Sequence, residues 1–252
     1  MLAQVLPAGL FGFFLVFSRI GSAFVFMPGF GEGFVPPRVR LIFALAVTLL
    51  VTPVVADKLP AMPESAWSMM VIILGETVIG LFFGLAARLV MTAVQSAGTI
   101  IALETGFASA LVNDPSTQQQ SAVLGNFLFV FAILMLLISD LHHLALRGVA
   151  ESYVAFQPGA PPMMGDMADS MSHLVSRSFA LAMEMAAPFV VVGIILNLGL
   201  GLLSRLMPQV QIFFIALPLQ ILLGFVVLTL SISGILLWFL DRYRAIVGDI
   251  LL

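Results

Sequence analysis

Six charged side chains lie inside or at the edges of long apolar stretches: Arg19, Glu76, Arg88, Glu104, Glu184 and Arg205. A charge held in hydrocarbon is costly unless it is paired or wetted. Two readings are open. These groups could line a polar path or contact other subunits, or they could form internal salt bridges that only fix packing. Arg205 also has a simpler explanation, because a cation near a helix C-terminus complements the helix dipole. Uncharged polar side chains recur in similar surroundings, at Gln95, Asn197, Gln209, Gln211 and Gln220, where hydrogen bonding between helices is the usual role. His142 and His143 are adjacent, so on a helix they would point to different faces, and an interfacial pair without metal is expected. The chain has no cysteine and three histidines, which excludes thiolate ligands and disulfides. No phosphate-binding glycine loop with lysine, no HExxH and no GxSxG occurs. The expectation is a protein that is not an enzyme, holds no cofactor or metal, and leaves any ATPase to another chain.

The elements that must position these groups are apolar helices. Of the 252 residues 61% are apolar and 9% charged, against roughly 25% charged in soluble domains. Such a chain cannot cover its surface with polar groups in water. Apolar segments fall at about 8–30, 39–56, 67–87, 89–111, 122–141, 178–204 and 212–240, several of them near the ~20 residues that span a bilayer. Runs such as 127–138 do not alternate as barrel strands would. The expected fold is all-α: a polytopic membrane-type helical protein with long, kinked helical hairpins. Residues 67–111 could be one long helix or a hairpin turning at Arg88, so the count is six or seven. With seven spans the basic residues obey the positive-inside rule, but nothing around Arg88 breaks a helix. With one long helix the remaining charges split slightly the wrong way. The start lacks a basic region before its apolar stretch, which argues against a cleaved signal peptide. The net charge of −3 and the scattered basic residues give no footprint for nucleic acid.

Connectors are marked by breakers: Gly29, Gly31, Gly33, Pro36 and Pro37 after the first segment; Pro53, Asp57, Pro60 and Pro63 after the second; Asn113-Asp114-Pro115 after the fourth, where Asp114 can cap the next helix. The polar stretch 140–177 is the one candidate for an extramembranous element. Pro53, Pro188 and Pro218 lie in or at the end of apolar segments and are expected to kink or break them. Gly80 and Gly84, and the row Gly193, Asn197 and Gly201, have the spacing that lets helices approach closely. Gly106-Phe107-Ala108-Ser109-Ala110-Leu111-Val112 is a small apolar loop between membrane-depth helices. Such a loop must be enclosed by protein, as a pore constriction or as a buried re-entrant turn.

Several of these blocks together resemble the FliR family of flagellar export-gate proteins, which includes counterparts in virulence secretion. The most specific is Arg205-Leu-Met-Pro208-Gln209-Val-Gln211-Ile-Phe213, preceded by Asn197-Leu-Gly-Leu-Gly201 and followed by Pro218-Leu-Gln220. Arg19 and Pro28, Pro36 to Arg40, Glu76 with Gly80 and Gly84, Gln95, Gly98, Gly106, Asp114-Pro115, and His142-His143 with Pro158 agree in order. The resemblance implies a core subunit of a type III export gate in the bacterial inner membrane, at the flagellar basal body. It implies partners like FliP and FliQ, further partners like FlhA and FlhB, membrane lipid around the assembly and unfolded protein as cargo. It implies that 1–177 packs like a FliP subunit and 178–252 like a FliQ subunit, in one continuous unit. It implies that Gly106 to Val112 plugs the closed pore, while Arg19, Glu76, Arg88, Glu104, Glu184, Asn197, Arg205, Gln209 and Gln211 make intramembrane or inter-subunit polar contacts. It also implies a chain lifted largely out of the bilayer plane, which need not follow a simple charge rule. Two rivals remain: a stand-alone secondary transporter, which should show two related halves not evident here, and a scaffold whose glycines and glutamines only pack.

Overall fold

The computed structural model describes residues 2–107, 122–206 and 212–251. Seven α-helices are found among them: α1 (Leu2–Phe26), α2 (Pro37–Val55), α3 (Ala66–Glu104), α4 (Ala122–Ile138), α5 (Leu141–Ala155), α6 (Met164–Leu206) and α7 (Ile212–Leu251). A 3-10 turn, Ala56–Lys58, follows α2, and no strand is present among the described residues. Among the described residues five helices are long and apolar enough to cross a membrane, and the bent pair α4 and α5 makes a sixth span if taken together.

Residues 66–104 form one helix, so there is no hairpin at Arg88. No glycine or proline interrupts the backbone ladder there, and local sequence prevails over the charge count. Helices α3, α6 and α7 have 39, 43 and 40 residues, about twice what a hydrocarbon core requires. Helix α6 begins at Met164 and α5 fills 141–155, so most of the polar stretch 140–177 is helical. Hydropathy locates only the apolar part of such a helix, while the backbone ladder continues into polar sequence.

Of the two outcomes expected of the prolines, a kink or a break, the break does not occur. Helices α2, α6 and α7 continue through Pro53, Pro188 and Pro218. The sharp bend, 74° between α4 and α5, falls instead at Ser139-Asp140, where Asp140 takes φ 57°. A left-handed residue cannot continue a right-handed helix, so the chain turns there without proline.

Packing divides the chain into two compact units. The first comprises residues 1–90, 136–175 and 243–252. Its centre is the pairing of α1 with the first part of α3. A Cβ on Gly80 would collide with the Arg19 carbonyl and the Ser22 hydroxyl, and one on Gly84 would come within 2.5 Å of the Ala23 carbonyl oxygen. The two backbones therefore touch, as the four-residue glycine spacing predicts. Leu15, Val16, Ile20, Ala23 and Phe24 of α1 are buried. Phe156, just after α5, packs its ring on Phe82 and Phe83 of α3.

The second unit comprises residues 91–135 and 176–242. Here α3 and α4 approach as closely as glycine permits: a Cβ on Gly98 would lie 2.5 Å from the Gly125 Cα. One turn away, Gln95 Nε2 donates to Asn126 Oδ1 at 2.9 Å. That is the interhelical amide bond expected of Gln95.

Burial is uneven. In the apolar 18-residue window of each span, half is buried within the chain for Gly9–Phe26, but only 17% for the window in Pro37–Lys58 and 11% for the one in Ala216–Asp249. Helix α2 shows Leu41, Ile42, Phe43, Leu49, Leu50 and Val54 on its outside. Apolar surface of this extent on a single chain needs lipid or other subunits to cover it.

Candidate functional site

Two polar constellations stand out, one in each unit. The first is built on Arg19, which is fully buried in α1 although α1 is otherwise apolar. Its Nε donates to Glu76 Oε2 of α3 at 2.6 Å. Nη1 donates to the Ser152 hydroxyl and Nη2 to the Phe156 carbonyl, each at 3.0 Å. The guanidinium lies over the Tyr153 ring, 4.0 Å from its centroid. The other Glu76 oxygen accepts from the Gly159 N–H at 3.3 Å. Gly80 and Gly84 bring the helices close enough for this pair, since Glu76 is one turn before Gly80 on the same face. Buried charges survive in a low dielectric only when paired and hydrogen-bonded, and both conditions are met.

Arg88 is paired as well. It lies roughly one hydrocarbon thickness of helix beyond the start of α3 and meets Glu32 in the turn after α1, Nη1 to Oε1, at 3.8 Å. Arg40 closes the same turn by donating to the carbonyls of Phe30 and Glu32, both at 3.0 Å. Burial pushes the Glu32 carboxyl above its ordinary value, and the Arg88 and Arg40 charges offset part of that. Arg88 thus sits level with a connector, beside a carboxylate. Composition gave no hint of Glu32, an acidic residue inside the glycine-rich Gly29-Phe-Gly-Glu-Gly33.

The second constellation is the end of α3. Gly106 takes φ 69°, the left-handed conformation with which helices commonly terminate and which glycine adopts without strain. Thr105 N–H and hydroxyl both donate to the Ile101 carbonyl. The Glu104 carbonyl, one of the acceptors a helix end leaves orphaned, takes a 2.7 Å bond from Gln220 Nε2 of α7. The Phe107 ring meets Phe225 of α7 edge to face, centroids 5.1 Å apart. A Cβ on Gly193 of α6 would collide with the Glu104 carboxylate, and one on Gly224 of α7 would lie 2.5 Å from the Thr105 side chain. Glycines on two helices therefore hold the end of α3 tightly, and Gln220 and Phe225 fix the point from which the following loop departs.

The predicted site residues are thus placed as follows. Arg19 and Glu76 come together, Arg88 finds Glu32, and Glu104 anchors the base of the loop. Gly106 and Phe107 are fixed at that base, while Ala108, Ser109, Ala110, Leu111 and Val112, with Asp114-Pro115, lie outside the described residues, as do Gln209 and Gln211. Glu184, Asn197 and Arg205 are exposed on α6. Gly193 is buried against Glu104, but Gly201 of the same row has open space beside it among the described residues. Sequence reasoning did not single out Ser152, Tyr153, Glu32 or Phe225.

The sequence profile of the bacterial export proteins, family 1, matches residues 10–246. The chain belongs to that family. Its relatives include the flagellar biosynthetic protein FliR of Caulobacter vibrioides, 36% identical over 91% of this chain and 92% of that protein. FliR of Bacillus subtilis is 35% identical over 88% and 86%. The Yop proteins translocation protein T of Yersinia pestis is 27% identical over 87% and 85%. Membership extends across both constellations, because the matched range includes Arg19, Glu76, Gly106 and Gln220. With its long apolar helices, this FliR-family chain is a multi-pass membrane protein.

Proposed function

We propose that this chain is a core subunit of a type III protein export gate serving flagellum assembly, located in the inner membrane. The observation that carries the reading is the family match over residues 10–246 together with the flagellar proteins among its relatives. Partners resembling FliP and FliQ cover the apolar faces of α2, α6 and α7, with 1–177 packing in the manner of the first and 178–252 in the manner of the second. Proteins resembling FlhA and FlhB join the same apparatus. Glu184, Asn197 and Arg205 face those neighbours, which satisfies polar groups that lipid would not. No catalytic step is assigned to the chain: its helices form a wall, and the loop 106–112 closes the path until unfolded cargo and the rest of the apparatus open it. The anchoring of Gly106 and Phe107 by Gln220 and Phe225 supports this, because a plug needs a fixed base. A gate of virulence type is the second reading, favoured by the likeness to the Yop translocation protein.

Deleting residues 106–112 is expected to leave the gate assembled but make the membrane leaky to small solutes. Dye or ion efflux from cells or proteoliposomes carrying the assembled gate is the measurement. Unchanged efflux would remove the plug from the proposal. Failure of hook and filament proteins to appear outside cells lacking this chain, rescued by its restoration, separates flagellar cargo from effectors.

A further inference from the structure

The elbow between α4 and α5 brings together residues that the export reading leaves unused. Asp140 stands at the N-cap of α5 with φ 57°, and its carboxylate does not cap the helix. Instead its Oδ1 lies 3.6 Å from His143 Nδ1. The rings of His142 and His143 are 4.0 Å apart between centroids and tilted by 39°. Adjacent residues on a helix diverge by about 100°, yet both rings, in the first turn of α5, still come this close. One donor atom from each of Asp140, His142 and His143 falls within 4.8 Å of the others. His142 is held by packing against Phe30, and its Nδ1 is shielded from solvent without a hydrogen-bond partner among the described residues. Asp140 and His143 have side chains 79% and 67% exposed, so both can rotate.

The geometry points to a binding site for a borderline divalent transition-metal ion of the zinc class, held by the Asp140 carboxylate and the imidazoles of His142 and His143. Tetrahedral zinc with bonds of about 2.0–2.1 Å sets its donors about 3.4 Å apart. The observed spread exceeds that by little more than an ångström, which rotation of two exposed side chains closes. Two imidazoles and one carboxylate select zinc, cobalt or nickel over the oxygen-seeking magnesium and calcium. Three protein ligands leave a fourth position for water or a neighbour's side chain. The bound ion would tie the N-cap residue Asp140 to the first turn of α5. Nothing in this site depends on the chain's role in export.

The test uses the chain in its detergent-extracted complex, stripped with chelator, dialysed and titrated with cobalt chloride. A visible d–d band saturating at one ion per copy of the chain, and bleached by zinc, is expected. His143→Ala and Asp140→Asn, the latter keeping the left-handed conformation, should each weaken cobalt binding at least tenfold. Both residues are exposed, so assembly should be unchanged, as size exclusion would verify. Absence of the band, or identical titrations for wild type and His143→Ala in intact complex, would overturn the assignment.

Discussion

Arg19→Ala will leave Glu76 charged, buried and unpaired, and will cost about 3–5 kcal/mol of stability. That is a large part of the roughly 5–15 kcal/mol by which folded domains typically exceed their unfolded state. The cost arises mainly from the stranded carboxylate, since the Arg19 guanidinium and Glu76 meet at 2.6 Å with both side chains almost wholly buried. Glu76→Ala should be equally severe, because it strands a guanidinium that retains Ser152, the Phe156 carbonyl and the Tyr153 ring but no counter-charge. Glu76→Gln keeps a hydrogen-bond acceptor and should be milder, about 1–3 kcal/mol. Arg19→Met combined with Glu76→Leu removes both charges and should recover much of the loss. Thermal unfolding of the detergent-solubilised protein, with the yield of monodisperse material, measures all four. If the double replacement is no better than Arg19→Ala, the unpaired charge is not the cause.

Gly80→Val should be the most disruptive single change on α3. Its first carbon already overlaps the Arg19 carbonyl and the Ser22 hydroxyl, and backbone cannot rotate aside as a side chain can. Forcing atoms into a packed contact costs about 1–3 kcal/mol. Here it also separates α1 from α3 and so pulls Arg19 away from Glu76. The total should approach that of Arg19→Ala, and the two changes combined should cost less than their sum because both break one contact. Gly201 and Gly234 are the controls. A Cβ at either meets nothing within 4 Å among the described residues, and alanine there should leave the unfolding temperature of the isolated chain the same or slightly higher. A Gly201→Ala chain that is stable alone but fails to assemble would place that glycine at a neighbour. An unaltered melting temperature for Gly80→Val would contradict the backbone contact.

These two sites differ in how far sequence could reach. The spacing of Gly80 and Gly84 correctly announces a close helix approach, because the four-residue period of a helix face is written in the chain. Arg19 and Glu76 are each recognisable as charges out of place, but not as partners: they are 57 residues apart, and only the packing of α1 on α3 joins them. Glu32 went unseen because its connector looks like ordinary loop, whereas the structure folds it inward onto Arg88. The missing breaker near Arg88 was the better guide to one long helix, and the charge rule misled because it assumes that each helix just spans the bilayer. Pro53, Pro188 and Pro218 end none of the three helices, since a proline forfeits only one ladder bond, while the sharp bend between α4 and α5 came from an aspartate in a left-handed conformation that no local pattern announced. At the loop, the stretch 106–112 was legible as a break between helices, but the left-handed Gly106 that ends α3 was not. Its anchors Gln220 and Phe225 lie on another helix, and no local pattern ties them to it.

The central claim, that this chain works as one member of a hetero-oligomeric gate, is tested most directly by the native mass of the particle extracted in mild detergent with this chain tagged. The prediction is a single species holding this chain with several copies of two smaller membrane proteins in fixed ratio. A monodisperse particle made only of this chain, able to move a small solute by itself, would contradict it.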